Sequence, residues 1–184
     1  VKVKRVVVLA NDNNNALTNL YRTGDLDTTE PNSRPPLVAA PELRQYHDYS
    51  ETPFLATYWY AFNCLRPPFN NMTVRQAFSR AVDKRRIVET LLHGLNVPSW
   101  SVVPDLFRGL TGYVPPVTSD DKFDPEGARK LLAEAGYPGG QGLPPIQLAF
   151  NPDDQHRLLA EAIQAMWKEN LGVQVAIPNI EWKQ

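Results

Sequence analysis

The sequence predicts an α/β fold in which helices flank a mixed sheet, and three observations carry that expectation. Near its end the chain reads strand, amphipathic helix, strand ("IQLAFN", "DDQHRLLAEAIQAMWKENLG", "VQVAI"), the pattern of a β-α-β unit. Two further runs, residues 3–9 and 53–63, are β-branched or aromatic with alternation. Between these runs, "PPFNNMTVRQAFSRAVDKRRIVETLL" carries apolar residues at helical spacing. At 184 residues and 42% hydrophobic, the chain has about one domain's worth of core-forming material.

Taken in order, "VKVKRVVVL" predicts a strand over residues 3–9. The polar run 11–15 offers N-caps for a helix over residues 16–22, which Gly24 can close with a left-handed cap. Pro31, Pro35, Pro36 and Pro41 deny backbone donors and predict an ordered surface loop over residues 30–41. "PFLATYWYAFN" is apolar or aromatic on both faces, so a strand covered on both sides is expected at 53–63. Asn70 or Asn71 can then cap a helix bearing Val74, Ala77, Phe78 and Ala81, and Asp83 a second bearing Ile87, Val88, Leu91 and Leu92. Residues 94–123, rich in Gly, Pro and aromatics without a period, predict a long wrapping loop. "DPEGARKLLAEAGYPGG" is punctuated as a helix by Asp124 at the cap, Pro125 at the first position and Gly136 after the last turn. The final helix presents Leu158, Leu159, Ala162, Ile163, Met166 and Trp167 as its inner stripe, with Gly172 as its cap.

Composition excludes several function classes. With 19 basic against 20 acidic residues and no long block of like charge, the chain lacks the electrostatic footprint of a nucleic-acid partner. One cysteine, Cys64, cannot form an internal disulfide, and with three histidines it leaves too few soft ligands for a structural zinc site. That thiol count suits an oxidising space as well as the cytosol. No stretch approaches the ~20 apolar residues that span a bilayer, and the opening apolar run is too short for a secretory signal. The expectation is therefore either a cytosolic protein or a piece without its export signal.

The nucleophile elbow, the phosphate-cradling loop, the dinucleotide glycine pattern and the zinc pair HExxH are all absent. Asp153 and Asp154 are adjacent at a helix start, where capping and the helix dipole explain them. "NMT" at Asn71 matches a glycosylation acceptor that matters only in a eukaryotic secretory setting. His47 and His93 have no companions, whereas His156 falls in the first turn of a helix directly after a strand end, where open α/β sheets place ligand groups. Trp167 continues a core stripe. Trp100 can cover core or cleft, and Trp59 and Trp182 lie on or after strands, where an aromatic plane can face a cavity.

The ordered series "PPFNNMTVRQAFSRAVDKRRIVETLLHG", a Pro-rich loop, "FDPEGARKLLAEAGYP", a strand ending in "FN", and "LAEAIQAMWKENLGVQVAIPNIEWKQ" resembles the extracellular solute-binding proteins of the oligopeptide, dipeptide and nickel class, family 5. Upstream, "LTNLYRTGDLD" and "PFLATYWYAFN" extend the similarity over nearly the whole chain. The resemblance implies a type II periplasmic-binding-protein-like lobe, with residues 1–184 forming part of the second lobe of a two-lobed protein. It implies the capture component of an ABC importer, partnered by a membrane permease, in the periplasm or outside the cell and compatible with a lipid anchor on the full-length protein. No cofactor is implied. An extended peptide or related small solute would be held between the lobes by main-chain hydrogen bonds and closed upon by a hinge.

By position, Trp182 matches an aromatic lining a side-chain pocket, and His156 a histidine near the peptide carboxylate. Phe54 and Trp59 stand where such binders carry cleft-wall tyrosines, and Asn151 can add a polar contact at the same strand end. Phe54 and Trp59 lack those hydroxyls, and Ala56 stands where some relatives carry a disulfide cysteine, so the solute can differ. Two alternatives from other classes are an α/β hydrolase using His156 with Asp153 or Asp154, and an interaction lobe without transport. The hydrolase needs a nucleophile near the imidazole. Ser79, Ser99, Ser101 and Ser119 all lack an elbow context.

Overall fold

The computed structural model describes residues 3–9, 13–29, 36–52, 54–104, 106–114 and 122–181. The chain divides into two compact units, Val1–Glu51 and Thr52–Gln184.

In the first unit, α1 (Asn14–Thr23) starts where Asn13 turns its side-chain oxygen onto the free amides of Asn15 and Ala16, and Gly24 ends it. A 3₁₀ turn, Leu37–Ala39, leads into α2 (Ala40–Leu43), with Pro41 in the first turn where its missing N–H costs nothing. The later part of the proline-rich stretch is thus helical, and residues 30–35 lie outside the described set. An Arg22–Glu42 ion pair of 2.6 Å ties α1 to α2, and the Tyr21 hydroxyl donates to the Asp48 carboxylate. The strand expected at residues 3–9 is not formed. Its valines are exposed, Val6 at 77%, and no ladder partner faces them among the described residues. β propensity expresses cross-strand packing rather than a backbone preference, so an unpartnered run does not become a strand.

The second unit is built around α3 (Met72–Arg80), which follows a cis peptide at Pro67-Pro68. Asn71 caps it by accepting from the Thr73 amide, and Val74, Ala77 and Phe78 are buried. As predicted, the chain breaks after it, and Asp83 caps a second segment by accepting from the Arg86 amide. That segment, α4 (Lys84–Arg86), opens into a π turn, Ile87–Leu91, closed by the Leu92 amide on the Ile87 carbonyl (3.0 Å). The wider turn aligns Ile87 with Leu92, the buried residues of this segment. The following loop is pinned to α4 by Lys84 Nζ on the Ser99 carbonyl (3.1 Å) and by the Arg85 guanidinium over the Trp100 ring (5.5 Å). Within the predicted long loop the chain forms α5 (Leu106–Thr111), started by the Phe107 amide on the Pro104 carbonyl (3.0 Å).

Helix α6 (Pro125–Glu134) has the predicted cap, Asp124 accepting from the Gly127 amide (2.9 Å), and packs Ala128 and Leu132 toward α3 and α7. Strand β1 (Ile146–Gln147) pairs in parallel with β2 (Val175–Ala176), Ile146 opposite Val175. Pairing continues past the ladder with the Leu148 amide on the Ala176 carbonyl (2.8 Å) and a bridge from Phe150 to Asn179. Pro144, Pro145, Pro152 and Pro178 lack donors, which keeps the regular ladder short.

Helix α7 (Asp154–Leu171) completes the β-α-β unit. Its buried stripe is Leu159, Ala160, Ile163, Met166, Trp167 and Leu171, rotated from the predicted one, so that Leu158 faces solvent. From this stripe Trp167 Nε1 donates to the Phe78 carbonyl (2.9 Å), and from the next turn Asn170 Nδ2 donates to that of Ala81 (2.8 Å). Two α7 side chains three residues apart thus satisfy carbonyls that the end of α3 leaves free.

The segment expected as a strand covered on both sides, residues 53–63, is described from 54 onward and joins no ladder. Phe54 is 68% exposed and Trp59 60% exposed. The segment is held instead by its side chains, and at its far end Phe62 packs on Phe69 with ring centroids 4.7 Å apart.

Candidate functional site

A cleft of about 530 Å³ is lined by residues 57–63 and residues 146–151, together with Phe69 and Trp167. Of the solute-binding residues expected from sequence, Trp59 and Asn151 line it. Asn151 also borders a smaller hollow of about 190 Å³ next to Ile180 and Glu181. Phe54 is exposed away from the cleft lining, and Trp182 lies outside the described residues.

His156 stands in the first turn of α7, beside the cleft rather than in its lining. Its placement follows from local signals. Pro152 ends the strand, and Asp153 caps the helix by accepting from the His156 amide (2.9 Å). The imidazole is stacked on Tyr58, centroids 4.8 Å apart and planes 16° apart. Tyr58 meets Tyr60 edge to face at 5.5 Å, and its hydroxyl donates to that of Tyr60 (3.3 Å). Tyr60 in turn donates to the His156 carbonyl (3.4 Å). Imidazole Nδ1 is shut off from solvent and has no hydrogen-bond partner; the Asp153 carboxylate lies 3.9 Å away, beyond bonding reach. An unmade bond at a buried polar atom is a standing cost that a ligand group or a rotated Asp153 would relieve.

Tyr58 and Tyr60 are the site residues that sequence reasoning missed. The signal is there, since they are paired two apart on one face of the aromatic run, while Trp59 between them alternates to the other face.

Burial pushes both phenols above their ordinary value, Tyr60 more strongly, with its hydrogen bond to Tyr58 adding to the shift. A group whose folded pKa is raised contributes stability below its unfolded value and loses it as pH climbs. The chain is therefore expected to lose stability above about pH 10, with Tyr60→Phe losing less over the same interval. Urea melts of both proteins between pH 8 and 11 check this, and parallel losses would refute it.

Four of the remaining polar candidates resolve into local structure, and Ser119 lies outside the described residues. Asp153 is a cap and Asp154 pairs with Arg157 (3.2 Å). Ser99 Oγ donates to the Ser101 carbonyl (2.7 Å), and Ser101 Oγ accepts from the Val103 amide (3.2 Å), both turn bonds. Among the described residues there is no grouping of His, Cys, Asp and Glu side chains that could hold a metal ion, and no helix is long and apolar enough to cross a membrane.

Residues 1–184 match the family model described as bacterial extracellular solute-binding proteins, family 5 Middle. The chain is 33% identical over 187 residues to the oligopeptide-binding protein OppA of Bacillus subtilis, covering 99% of this chain and 34% of that protein. It is 35% identical over 184 residues to the periplasmic murein peptide-binding protein MppA of Escherichia coli, covering 98% of this chain and 34% of that one. The crystal structure of a periplasmic oligopeptide-binding protein from Borrelia burgdorferi superposes with a TM-score of 0.77 at 34% identity, over 94% of this chain and 33% of that one. The chain thus spans about a third of the length of these relatives. The helices around a small sheet are those of part of a type II periplasmic-binding-protein lobe, as the family resemblance implied. The chain belongs to the bacterial extracellular solute-binding proteins, family 5.

Proposed function

We propose that the protein is the substrate-binding component of an ABC importer, that it captures peptides or related small solutes between two lobes, and that residues 1–184 are part of the second lobe. The observation that supports this best is the convergence at one end of β1: Asn151 at the strand end, and the Tyr58–His156 stack with an unpartnered imidazole nitrogen at the start of α7. Ligands of open α/β sheets bind outside the carboxyl ends of strands. In this reading the role is binding without catalysis. His156 meets the polar end of the solute, Trp59, Phe54 and Trp182 supply apolar walls, and Asn151 contributes a hydrogen bond. Such a site suits a solute recognised through its main chain, with bridging water tolerating varied side chains. Closure of the lobes follows from contacts made only in the closed state. The membrane partner is an importer permease, and the location is periplasmic or extracellular, in line with the names of the relatives.

Calorimetric titration of the full-length protein with defined peptide pools tests the reading. Peptides are expected to bind, and His156→Ala combined with Trp182→Ala is expected to weaken binding at least ~10-fold, the scale of one interface hot spot. Absence of any peptide binding overturns the solute class. Binding that the double variant leaves unchanged overturns the site.

A further inference from the structure

A histidine that meets a ligand through one ring nitrogen is ordinarily oriented by a hydrogen bond at the other. His156 has none among the described residues: Nδ1 is shut off from solvent without a partner, which leaves Nε2 as the nitrogen able to meet a solute. The nearest carboxylate cannot take over the task. Asp153 Oδ1, the oxygen 3.9 Å from Nδ1, is the same atom that accepts from the His156 amide (2.9 Å), so moving it to the imidazole would uncap α7. What fixes the ring is aromatic. Tyr58 lies almost parallel to the imidazole, planes 16° apart, and turning the imidazole about its side-chain bonds would break that stack. Tyr58 is held in turn by the edge-to-face contact with Tyr60 and by the bond between the two hydroxyls. Tyr60 closes the circuit on the His156 carbonyl. Burial raises both phenols above their ordinary value, so neither donor is lost near neutral pH.

We propose that Tyr58 is the positioning residue of the solute site, acting through His156: its ring sets the plane in which Nε2 is presented, and Tyr60 locks that ring to the first turn of α7. This inference rests on the reading of His156 as a solute contact, and it gives a role to two residues which that reading leaves out. Tyr58 also lines the cleft, so direct contact with the solute is the competing role. Its own groups argue against that, because one ring face is covered by the imidazole and the hydroxyl proton is given to Tyr60. The benefit is preorganisation. A free imidazole samples several side-chain rotamers, whereas one held in a single plane makes its hydrogen bond without first losing that freedom. The stack should therefore matter only while there is an imidazole for it to hold.

Calorimetric titration of the full-length protein with the defined peptide pools tests this in a double-mutant cycle of Tyr58→Ala and His156→Ala, with Tyr58→Phe as the conservative variant. Tyr58→Ala is expected to weaken binding ~5–10-fold, the scale of one aromatic pair, while Tyr58→Phe keeps the ring and most of the affinity. In the His156→Ala background, Tyr58→Ala is expected to cost nothing further. An equal loss with and without the imidazole overturns the proposal, since Tyr58 then touches the solute itself. Affinity that Tyr58→Ala leaves unchanged also overturns it. Tyr58 is 50% exposed, so its truncation spares the core and the variants should melt together. Proton NMR of the ligand-free full-length protein gives a second measurement, independent of any solute. The His156 ring signals, identified by their loss in His156→Ala, are expected upfield under the Tyr58 ring in the parent protein and in Tyr58→Phe, but not in Tyr58→Ala. The same signal positions in all three overturn the stack. If the parent protein binds no peptide, the solute reading fails and takes this proposal with it; if it binds and the cycle or the ring signals fail, the positioning role alone falls.

Discussion

Phe78→Ala is expected to cost about 3–5 kcal/mol, enough to remove a large part of the stability of a domain whose total is ~5–15 kcal/mol. Phe78 is 0% exposed, and its ring is the hub of an aromatic chain. It meets Phe69 at 5.1 Å and 85°, Trp167 at 5.0 Å and 67°, and Phe62 at 6.4 Å and 82°. Those partners belong to three separate pieces of chain: the turn before α3, helix α7, and the end of the aromatic segment. Truncation leaves a void bordered by ring edges on several sides. The rings cannot all collapse into it, because Trp167 is also held by its hydrogen bond to the Phe78 carbonyl. Urea denaturation followed by tryptophan fluorescence and far-ultraviolet circular dichroism reads the loss. Phe78→Leu, which keeps most of the volume, should lose clearly less, and a loss below ~1 kcal/mol for Phe78→Ala would show that the hub is not where the second unit is held together.

The same hub explains which parts of the fold could be read in advance. The helices α1, α3, α4, α6 and α7 announce themselves through caps a few residues away: Asn13, Asn71, Asp83, Asp124 and Asp153 each accept from an amide within three positions. Such signals are local, so a linear sequence contains them whole. The runs at 3–9 and 54–63 have the composition of strands, but pairing is a contact between distant segments, and composition does not say whether the partner is present. The π turn at Ile87–Leu91 and the rotated stripe of α7 are likewise outcomes of packing. At the site, the position of His156 is readable because a strand end and a helix start lie next to each other in sequence. The tyrosines that hold it are not, since Tyr60 reaches the His156 carbonyl across 96 positions. The cleft wall contains Trp59 and Asn151, whereas Phe54 stands outside the cleft lining.

Gly172→Ala is expected to cost about 2–4 kcal/mol, more than the same change at Gly136, and the difference isolates a single contact. Both glycines end helices of the second unit with positive φ, 73° at Gly172 and 95° at Gly136, so alanine at either place carries the left-handed penalty of ~1–2 kcal/mol. They differ in what a Cβ would meet. At Gly136 nothing lies within 4 Å, whereas at Gly172 the new atom would stand 2.9 Å from the Gly139 carbonyl oxygen. That oxygen is backbone, in the turn Pro138–Gly140, and cannot swing aside as a side-chain tip would. Either the turn or the end of α7 must shift. Gly172 donates to the Lys168 carbonyl (3.1 Å) and stands three residues before β2, whose pairing with β1 continues to the Phe150–Asn179 bridge beside Asn151. A shift there propagates into the strand end proposed to meet the solute. Gly172→Asn separates the causes, since asparagine accepts the left-handed conformation more readily but still carries the Cβ. If Gly172→Asn costs nearly as much as Gly172→Ala, the close approach to Gly139 governs. If Gly172→Asn is nearly neutral while Gly172→Ala matches Gly136→Ala, backbone conformation alone decides, and no contact across the sheet end constrains the site.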